Sequence, residues 1–341
     1  MQRRRPRGGR VACVYAVAVP RALVTGITGQ DGAYLSAWLL ERGYEVVGLA
    51  RSPVTLDGVR IVHGDLTDPP SLRDAVLQTA PDELYHLAAP TFVPASWERP
   101  AETLAAIAGA TATLLQAACE LGTSPRVLVA SSSEIFGDAG ESPQHEDSPM
   151  RPRSPYGVAK LAAHGLVRTL RTGERLHAGS AITFNHESPL RPERFLPRKV
   201  TRAAAAIKLG LQEELVLGDL DAVRDWCHAR DVVRGEWLML QQDEPDDYVL
   251  ASGVGRTVGE LVRTAFACVD LDPDEHVRVD PRFVRPPEAT PPVGDPAKAR
   301  ERLGWEAETS FAAMIAEMVA ADLAALGGAS AAPAAPDRRA S

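Results

Sequence analysis

Arg21-Ala22-Leu23-Val24-Thr25-Gly26-Ile27-Thr28-Gly29-Gln30-Asp31-Gly32 decides how the chain is to be read. A short apolar run enters three glycines spaced G-x-x-G-x-x-G, after which Tyr34, Leu35, Trp38, Leu39 and Leu40 recur at helical spacing. The order is strand, glycine turn, helix. The spacing is one residue longer than the dinucleotide fingerprint G-x-G-x-x-G, but the mechanics are the same. Glycines permit a tight turn and close backbone approach, and the helix N-terminus offers free N–H groups to a pyrophosphate. An ordinary turn can also hold three glycines, yet the position between the first strand and its helix makes Gly26, Thr28, Gly29, Gln30, Asp31 and Gly32 candidate cofactor-binding residues.

Working outward, apolar runs at 46–50, 59–62, 83–87 and 127–130 read as further strands, with helices at 71–78 and 101–121. Strands that alternate with helices predict an α/β fold, a doubly wound parallel sheet covered on both faces. At the end of the second strand, where an NAD binder usually shows an acid, stand Arg51 and Ser52. An arginine there suits a 2′-phosphate, so NADP is the expected cofactor; a merely solvated side chain is the alternative. Asp65, followed by Leu66, can accept from an adenine amino group or cap a turn. Leu87-Ala88-Ala89 closes the fourth strand with small residues, letting a cofactor backbone pass close by. Beyond 180 the alternation is less regular: strands at 181–184, 214–217 and 247–251, helices at 198–209 and 232–241, and more helices after Thr257, Pro296 and Ser310. Their loops are rich in Pro, Arg and Glu, as expected of a smaller C-terminal α/β substrate-binding lobe on the edge of the sheet. The division is therefore an extension at 1–20, a cofactor domain mainly at 21–180, an interleaved lobe mainly at 181–326, and a disordered tail at 327–341.

With 341 residues, 45% of them hydrophobic, the chain can bury one large core. A net charge of -8 with scattered arginines argues against a nucleic-acid surface, which needs a banked basic face. Cysteines at 13, 119, 227 and 268 form no C-x-x-C pair, so neither a metal nor a disulfide is expected, and a reducing cytoplasm fits. Arg3-Arg4-Arg5 and the apolar stretch 11–19 superficially imitate a secretory signal, but the nucleotide-binding strand that follows at once favours a short extension. No run approaches the about 18 apolar residues that a membrane-spanning helix needs.

Tyr156 and Lys160 stand four apart in Ser154-Pro155-Tyr156-Gly157-Val158-Ala159-Lys160. In a helix that spacing puts both side chains on one face, where the ammonium can lower the phenol pKa. A tyrosine so tuned can take a proton from a sugar hydroxyl. The pair is common by chance; the Ser131-Ser132-Ser133-Glu134 run upstream gives it company.

The glycine turn, G-D-L-T-D, H-L-A-A, S-S-S-E, S-P-Y-G-V-A-K and Phe184-Asn185-His186-Glu187-Ser188-Pro189 together resemble the extended short-chain dehydrogenase/reductase superfamily, with its Rossmann-type fold. Within it, Arg224-Asp225-Trp226, His228-Ala229-Arg230-Asp231 and Arg285-Pro286-Pro287-Glu288 make the chain most similar to the GDP-mannose 4,6-dehydratase family, from about residue 21 to 325. The resemblance implies a redox-neutral dehydration of a GDP-sugar with NADP. Tyr156 would deprotonate the sugar 4-hydroxyl, with Lys160 holding the nicotinamide ribose and Ser132, where the family usually has threonine, sharing a hydrogen bond. Glu134 would remove the C5 proton and help water leave from C6. Asn185, Glu187, Lys199, Arg224, Arg285 and Glu288 match family residues near the substrate, arginines suiting the diphosphate.

The pattern departs in places. Pro90-Thr91-Phe92 stands where the family usually has Gln-Ser-His, Leu190 replaces one of two arginines, and Cys227 replaces a glycine. The loop after Arg51 is shorter than the arginine-rich one through which tetrameric members share cofactor contacts, so a homodimer through a helix bundle is expected, with a tetramer as the alternative. A reductase of the keto product, a dehydratase of another hexose, and a silent NADP-binding scaffold stay open as rival readings.

Overall fold

A computed structural model describes residues 19–173, 176–283 and 290–330. The strands β1 (Arg21–Thr25), β2 (Glu45–Ala50), β3 (Val59–His63), β4 (Glu83–His86), β5 (Arg126–Ala130) and β6 (Ala178–Thr183) come first, then β7 (Asn185–Glu187), β8 (Leu215–Leu217), β9 (Val223–His228), β10 (Tyr248–Leu250), β11 (Gly255–Thr257) and β12 (Val277–Val279). Seven of them form one sheet in the order β10-β6-β5-β4-β1-β2-β3. Every neighbouring pair in it is parallel. The order reverses beside β1, which puts the glycine turn at the crevice where such sheets bind ligands.

Helices α1 (Gln30–Glu41), α2 (Pro69–Thr79), α3 (Val93–Glu98), α4 (Pro100–Leu104), α5 (Ala110–Glu120) and α6 (Pro155–Gly173) belong to the first half, and α7 (Leu196–Lys208), α8 (Ala229–Leu240), α9 (Val258–Ala267), α10 (Pro273–His276), α11 (Ala297–Leu303) and α12 (Phe311–Ser330) to the second. The period-2 alternation of the strands divides the core. Ala22 and Val24 pack with Leu35 and Leu39 of α1 and Val232 and Val233 of α8. Leu23 and Val47 face the other way, onto Leu72 of α2 and Leu114 and Leu115 of α5. A third core holds α7, α9 and α12 together through Val200, Leu261, Phe266, Ile315 and Met318.

The long helix predicted over 101–121 is interrupted: a π-helical turn at Ala105–Gly109 separates α4 from α5. The wider turn presents Ile107 to Tyr156, and both are buried in one cluster. Helix α12 continues through Ser330, past the start of the tail expected at 327; positions 331–341 lie outside the described residues. Phe311–Gly328 is, contrary to the sequence expectation, long and apolar enough to cross a membrane, with a hydropathy of 1.5 over 18 residues. Its Met314, Ile315, Met318 and Val319 are buried in the lobe core, and Asp322 pairs with Arg198 of α7 at 2.7 Å, so that face is filled by the protein itself.

Short β7, β9 and β11 were not separable from loop by periodicity, since each owes its existence to partners. β9 runs parallel to β7 and antiparallel to β11. Asp225 of the R-D-W motif locks this sheet: fully buried, its carboxylate accepts from Ser252 N and Oγ at 2.9 and 2.5 Å, from Gly253 N at 3.0 Å and from Gly294 N at 3.2 Å. Asp225→Ala would leave these donors without their charged acceptor; a loss of about 3 kcal/mol in urea-unfolding stability is expected.

Candidate active site

The glycine turn is built for close approach. Gly26 has φ +74°, and a Cβ there would stand 2.9 Å from Ala88 N; one on Gly32 would stand 2.3 Å from Gly26 O. Gly29 caps α1 without a side-chain hydrogen bond, so the first N–H groups of the helix are free of intramolecular side-chain acceptors and suit an anion. Below the turn, Ala88 N donates to Thr25 Oγ1 at 3.1 Å, and Thr25 Oγ1 lies 2.8 Å from His86 Nδ1. Burial pushes His86 down to about 3, so the ring is neutral and Nδ1 can accept the threonine proton. The ends of β1 and β4 are thereby pinned side by side, and the turn and Leu87-Ala88-Ala89 line one trough.

Arg51 is exposed just past β2, and its charge contributes to lowering the pKa of Asp65 past β3. The larger causes are hydrogen bonds from Thr67: its N and Oγ1 both donate to Asp65 Oδ1, at 2.8 and 2.7 Å. The turn-capping alternative for Asp65 is therefore realised. These residues fit a dinucleotide with a phosphate at the outer end: a trough that a Cβ would fill, free helix N–H groups, and a cation at the end of β2.

Beside the trough lie the expected catalytic side chains. Ser132 caps the short turn Ser133–Ile135 by accepting from Glu134 N at 3.2 Å. Ser154 Oγ reaches both neighbours, donating to Glu134 Oε2 at 3.3 Å and accepting from Gly157 N at 3.0 Å. Gly157 permits this contact, since a Cβ there would stand 2.6 Å from Glu134 O. Helix α6 thus presses Tyr156 and Lys160 against the Ser132–Glu134 turn. Both are buried, and Lys160 Nζ donates to Ala130 O at 2.6 Å, 5.9 Å from the Tyr156 ring. The phenol is not lowered as the i, i+4 spacing suggested. Burial pushes Tyr156 up to about 12, against a downward pull from its hydrogen bond with Ser132. The same burial brings Lys160 down to about 8.

His186, Arg191 and Glu236 were not singled out by sequence reasoning, yet they surround this site. His186 Nε2 lies 3.0 Å from Asp31 Oδ2. Burial alone would depress the imidazole, but the charge and hydrogen bond of Asp31 hold it at about 9. Arg191 Nε lies 3.2 Å from Glu187, which is buried and raised by that burial against the arginine. Glu187 therefore meets its own arginine. Glu236, in α8, is buried with no hydrogen-bond partner for Oε2 among the described residues, and burial followed by repulsion from Asp31 pushes it up to about 8. His186 and Arg191 sit inside or just after the F-N-H-E-S-P segment, whereas Glu236 gave only one signal, an acid on a helix face otherwise buried.

The remaining expected residues are more dispersed. Asn185 pairs with Trp226 across β7 and β9, and Arg224 Nη1 donates to Val223 O at 2.6 Å. Lys199 Nζ donates to Val216 O at 2.7 Å and lines a cavity of about 600 Å³ with Arg278, Asp280 and Phe283, on the small lobe and apart from Tyr156. Arg285 and Glu288 lie outside the described residues.

Gly32→Ala should drive a methyl group into backbone that cannot give, costing about 1–3 kcal/mol in stability and abolishing tight NADP+ binding in a fluorescence titration. Glu236 yields a pH prediction. Below its ordinary value of 4.5 both folded and unfolded chains hold the proton; up to about 8 only the folded chain does, so stability falls as pH rises through this window. Glu236→Gln should flatten that decline by up to about 1.4 kcal/mol per pH unit, read from urea melts between pH 5 and about 8.

The model of the GDP-mannose 4,6 dehydratase family matches residues 23–318. A GDP-mannose 4,6-dehydratase from Sinorhizobium fredii is 46% identical, over 90% of this chain and 97% of its own. GDP-mannose 4,6 dehydratase 1 from Arabidopsis thaliana is 43% identical, over 89% of each chain. Among solved structures, RMD from Pseudomonas aeruginosa complexed with NADPH superposes with a TM-score of 0.78 at 28% identity, covering 90% of this chain and 100% of that one. On these matches the chain belongs to the GDP-mannose 4,6-dehydratase family.

Proposed function

We propose that the protein is an NADP-dependent lyase that converts GDP-mannose to GDP-4-keto-6-deoxymannose. The observation that carries this reading is the placement of a carboxylate, Glu134, on the turn against which α6 presses Tyr156, with Ser154 and Gly157 joining the two. A simple alcohol dehydrogenation needs only the phenol and the ammonium; loss of water from the neighbouring carbons needs a second acid–base group.

Tyr156 Oη takes the proton of the sugar 4-hydroxyl. A phenol near 12 is a reluctant donor, so the Ser132 hydroxyl and the positive charge of Arg191, which both pull it down, matter to its ionisation. Lys160, anchored to Ala130 O, keeps its other ammonium donors for a ribose. Bound NADP+ supplies a hydride acceptor for C4 and a hydride source for C6, so it is not consumed. With C4 a ketone, the C5 proton is acidic; Glu134 removes it and delivers it to the C6 hydroxyl as that leaves as water, and once C6 has taken up hydride the proton held on Tyr156 returns to C5 and restores the phenolate. The cavity at Lys199 and Phe283 suits the nucleotide half, offering an ammonium and an exposed ring. A homodimer belongs to the same reading, supported by Trp97, Leu104 and Val158, which stand exposed on α3, α4 and α6.

Purified protein with GDP-mannose and a catalytic amount of NADP+ should yield a product one water lighter without net NADPH. Sustained NADPH consumption on the keto-sugar would instead identify a reductase. Tyr156→Phe should lower kcat by about 10²–10⁴, and Glu134→Gln should slow water loss by a similar factor while leaving NADP+ affinity unchanged.

A further inference from the structure

The segment Pro90-Thr91-Phe92 lies between two residues that touch the catalytic cluster. Ala89 before it and Val93 after it both pack against the group formed by Ile107, Tyr156, Ala159 and Ala163. Phe92 is therefore carried on a short segment whose two ends pack against the cluster that holds Tyr156, and the residue is 37% exposed. A ring so placed is not part of the core. It meets Phe195, the residue that precedes α7 in the small lobe, edge to face, with centroids 6.0 Å apart and planes at 88°. Arg194 lies 5.5 Å from the Phe92 ring and 5.4 Å from the Phe195 ring, and Arg191 stacks on Phe195 at 3.8 Å. The pair spans the two lobes and is braced by two cations, one of which also holds Glu187.

The rest follows from what must sit at Tyr156. A hexose with its 4-hydroxyl on the phenol is a pyranose, which offers polar edges and one C–H-rich face. Polar side chains would meet the edges, but Phe92 can meet only the face, as aromatic walls in small-ligand sites do. We infer that Phe92, braced by Phe195 and Arg194, is a specificity-determining residue of the sugar subsite, its ring forming the wall against the C–H face of the hexose. The assignment rests on the function proposed above.

The test separates sugar from nucleotide. Full-length protein loaded with NADP+ is titrated calorimetrically with GDP and with GDP-mannose, in the wild-type form and as Phe92→Ser. The variant should lose about three- to tenfold in GDP-mannose affinity and none in GDP affinity. Phe92→Tyr should keep the wild-type ratio, and Phe195→Leu should show a smaller loss in the same direction. Should Phe92→Ser fail to fold, Phe92→Leu keeps the bulk without the flat ring and reads the same ratio. A preserved ratio of the two affinities overturns the wall, and an equal fall for both ligands reduces Phe92 to a brace between lobes. Absence of water loss from GDP-mannose in the wild-type protein would sink the reading of function, whichever way the affinities fall.

Discussion

The half-buried contact between Asp31 and His186 is the constraint on which the site depends. Asp31 belongs to the first turn of α1, between Gly29 and Gly32, and His186 to β7, the first strand of the small lobe. Their neighbours reinforce it: Gln30 Nε2 donates to His186 O at 3.1 Å, and Ser188 Oγ donates to Gln30 Oε1 at 2.8 Å. One pair of residues thus closes the helix start that a cofactor needs and fixes where the lobe departs from the sheet. Glu187 and Arg191, carried on the same segment, are positioned by it. An ion pair withdrawn in part from water contributes little net stability after desolvation, but it penalises other arrangements of the two lobes, because separating its members leaves poorly solvated charge.

Burial also decides the electrostatics. The i, i+4 spacing of Tyr156 and Lys160 suggested an ammonium lowering a phenol, a pairwise argument that takes solvent for granted. In the folded chain both groups are withdrawn from water, so each is pushed toward its neutral form, Tyr156 to about 12 and Lys160 to about 8. Desolvation outweighs the pair. The hydrogen bond from Ser132 is the local correction, which gives the residue at that position an electrostatic task besides orientation.

The main sheet was legible because its strands are apolar runs bounded by glycines and helix signals, and because α1 shows its amphipathic spacing at once. The glycine turn, Tyr156, Lys160 and Glu134 were legible for the same reason, as residues whose chemistry depends on short sequence separation. The π-turn at 105–109 was not, since alanines fit any helical geometry and only the contact of Ile107 with Tyr156 selects the wider one. β7, β9 and β11 escaped because strands of three to six residues are defined by pairing, and the part Asp225 plays among them rests on four donors that only the folded chain brings together. Glu236 shows the limit most clearly: its role depends on groups far apart in sequence converging beneath the site.

The path of the chain between the lobes bears on how such an enzyme can change over generations. After β6 the chain leaves the large sheet for β7, α7, β8 and β9, returns through α8 to add β10 as the edge strand beside β6, and leaves again. The substrate lobe is consequently not a detachable module. A crossover that imported a foreign lobe would have to replace an edge of the cofactor-binding sheet and the α8 packing beneath it, so wholesale exchange of one binding specificity for another is closed to this architecture. Replacements in short connecting segments, such as the loop between β4 and α3, leave both the sheet edge and the α8 packing in place, and are the changes this architecture admits most easily.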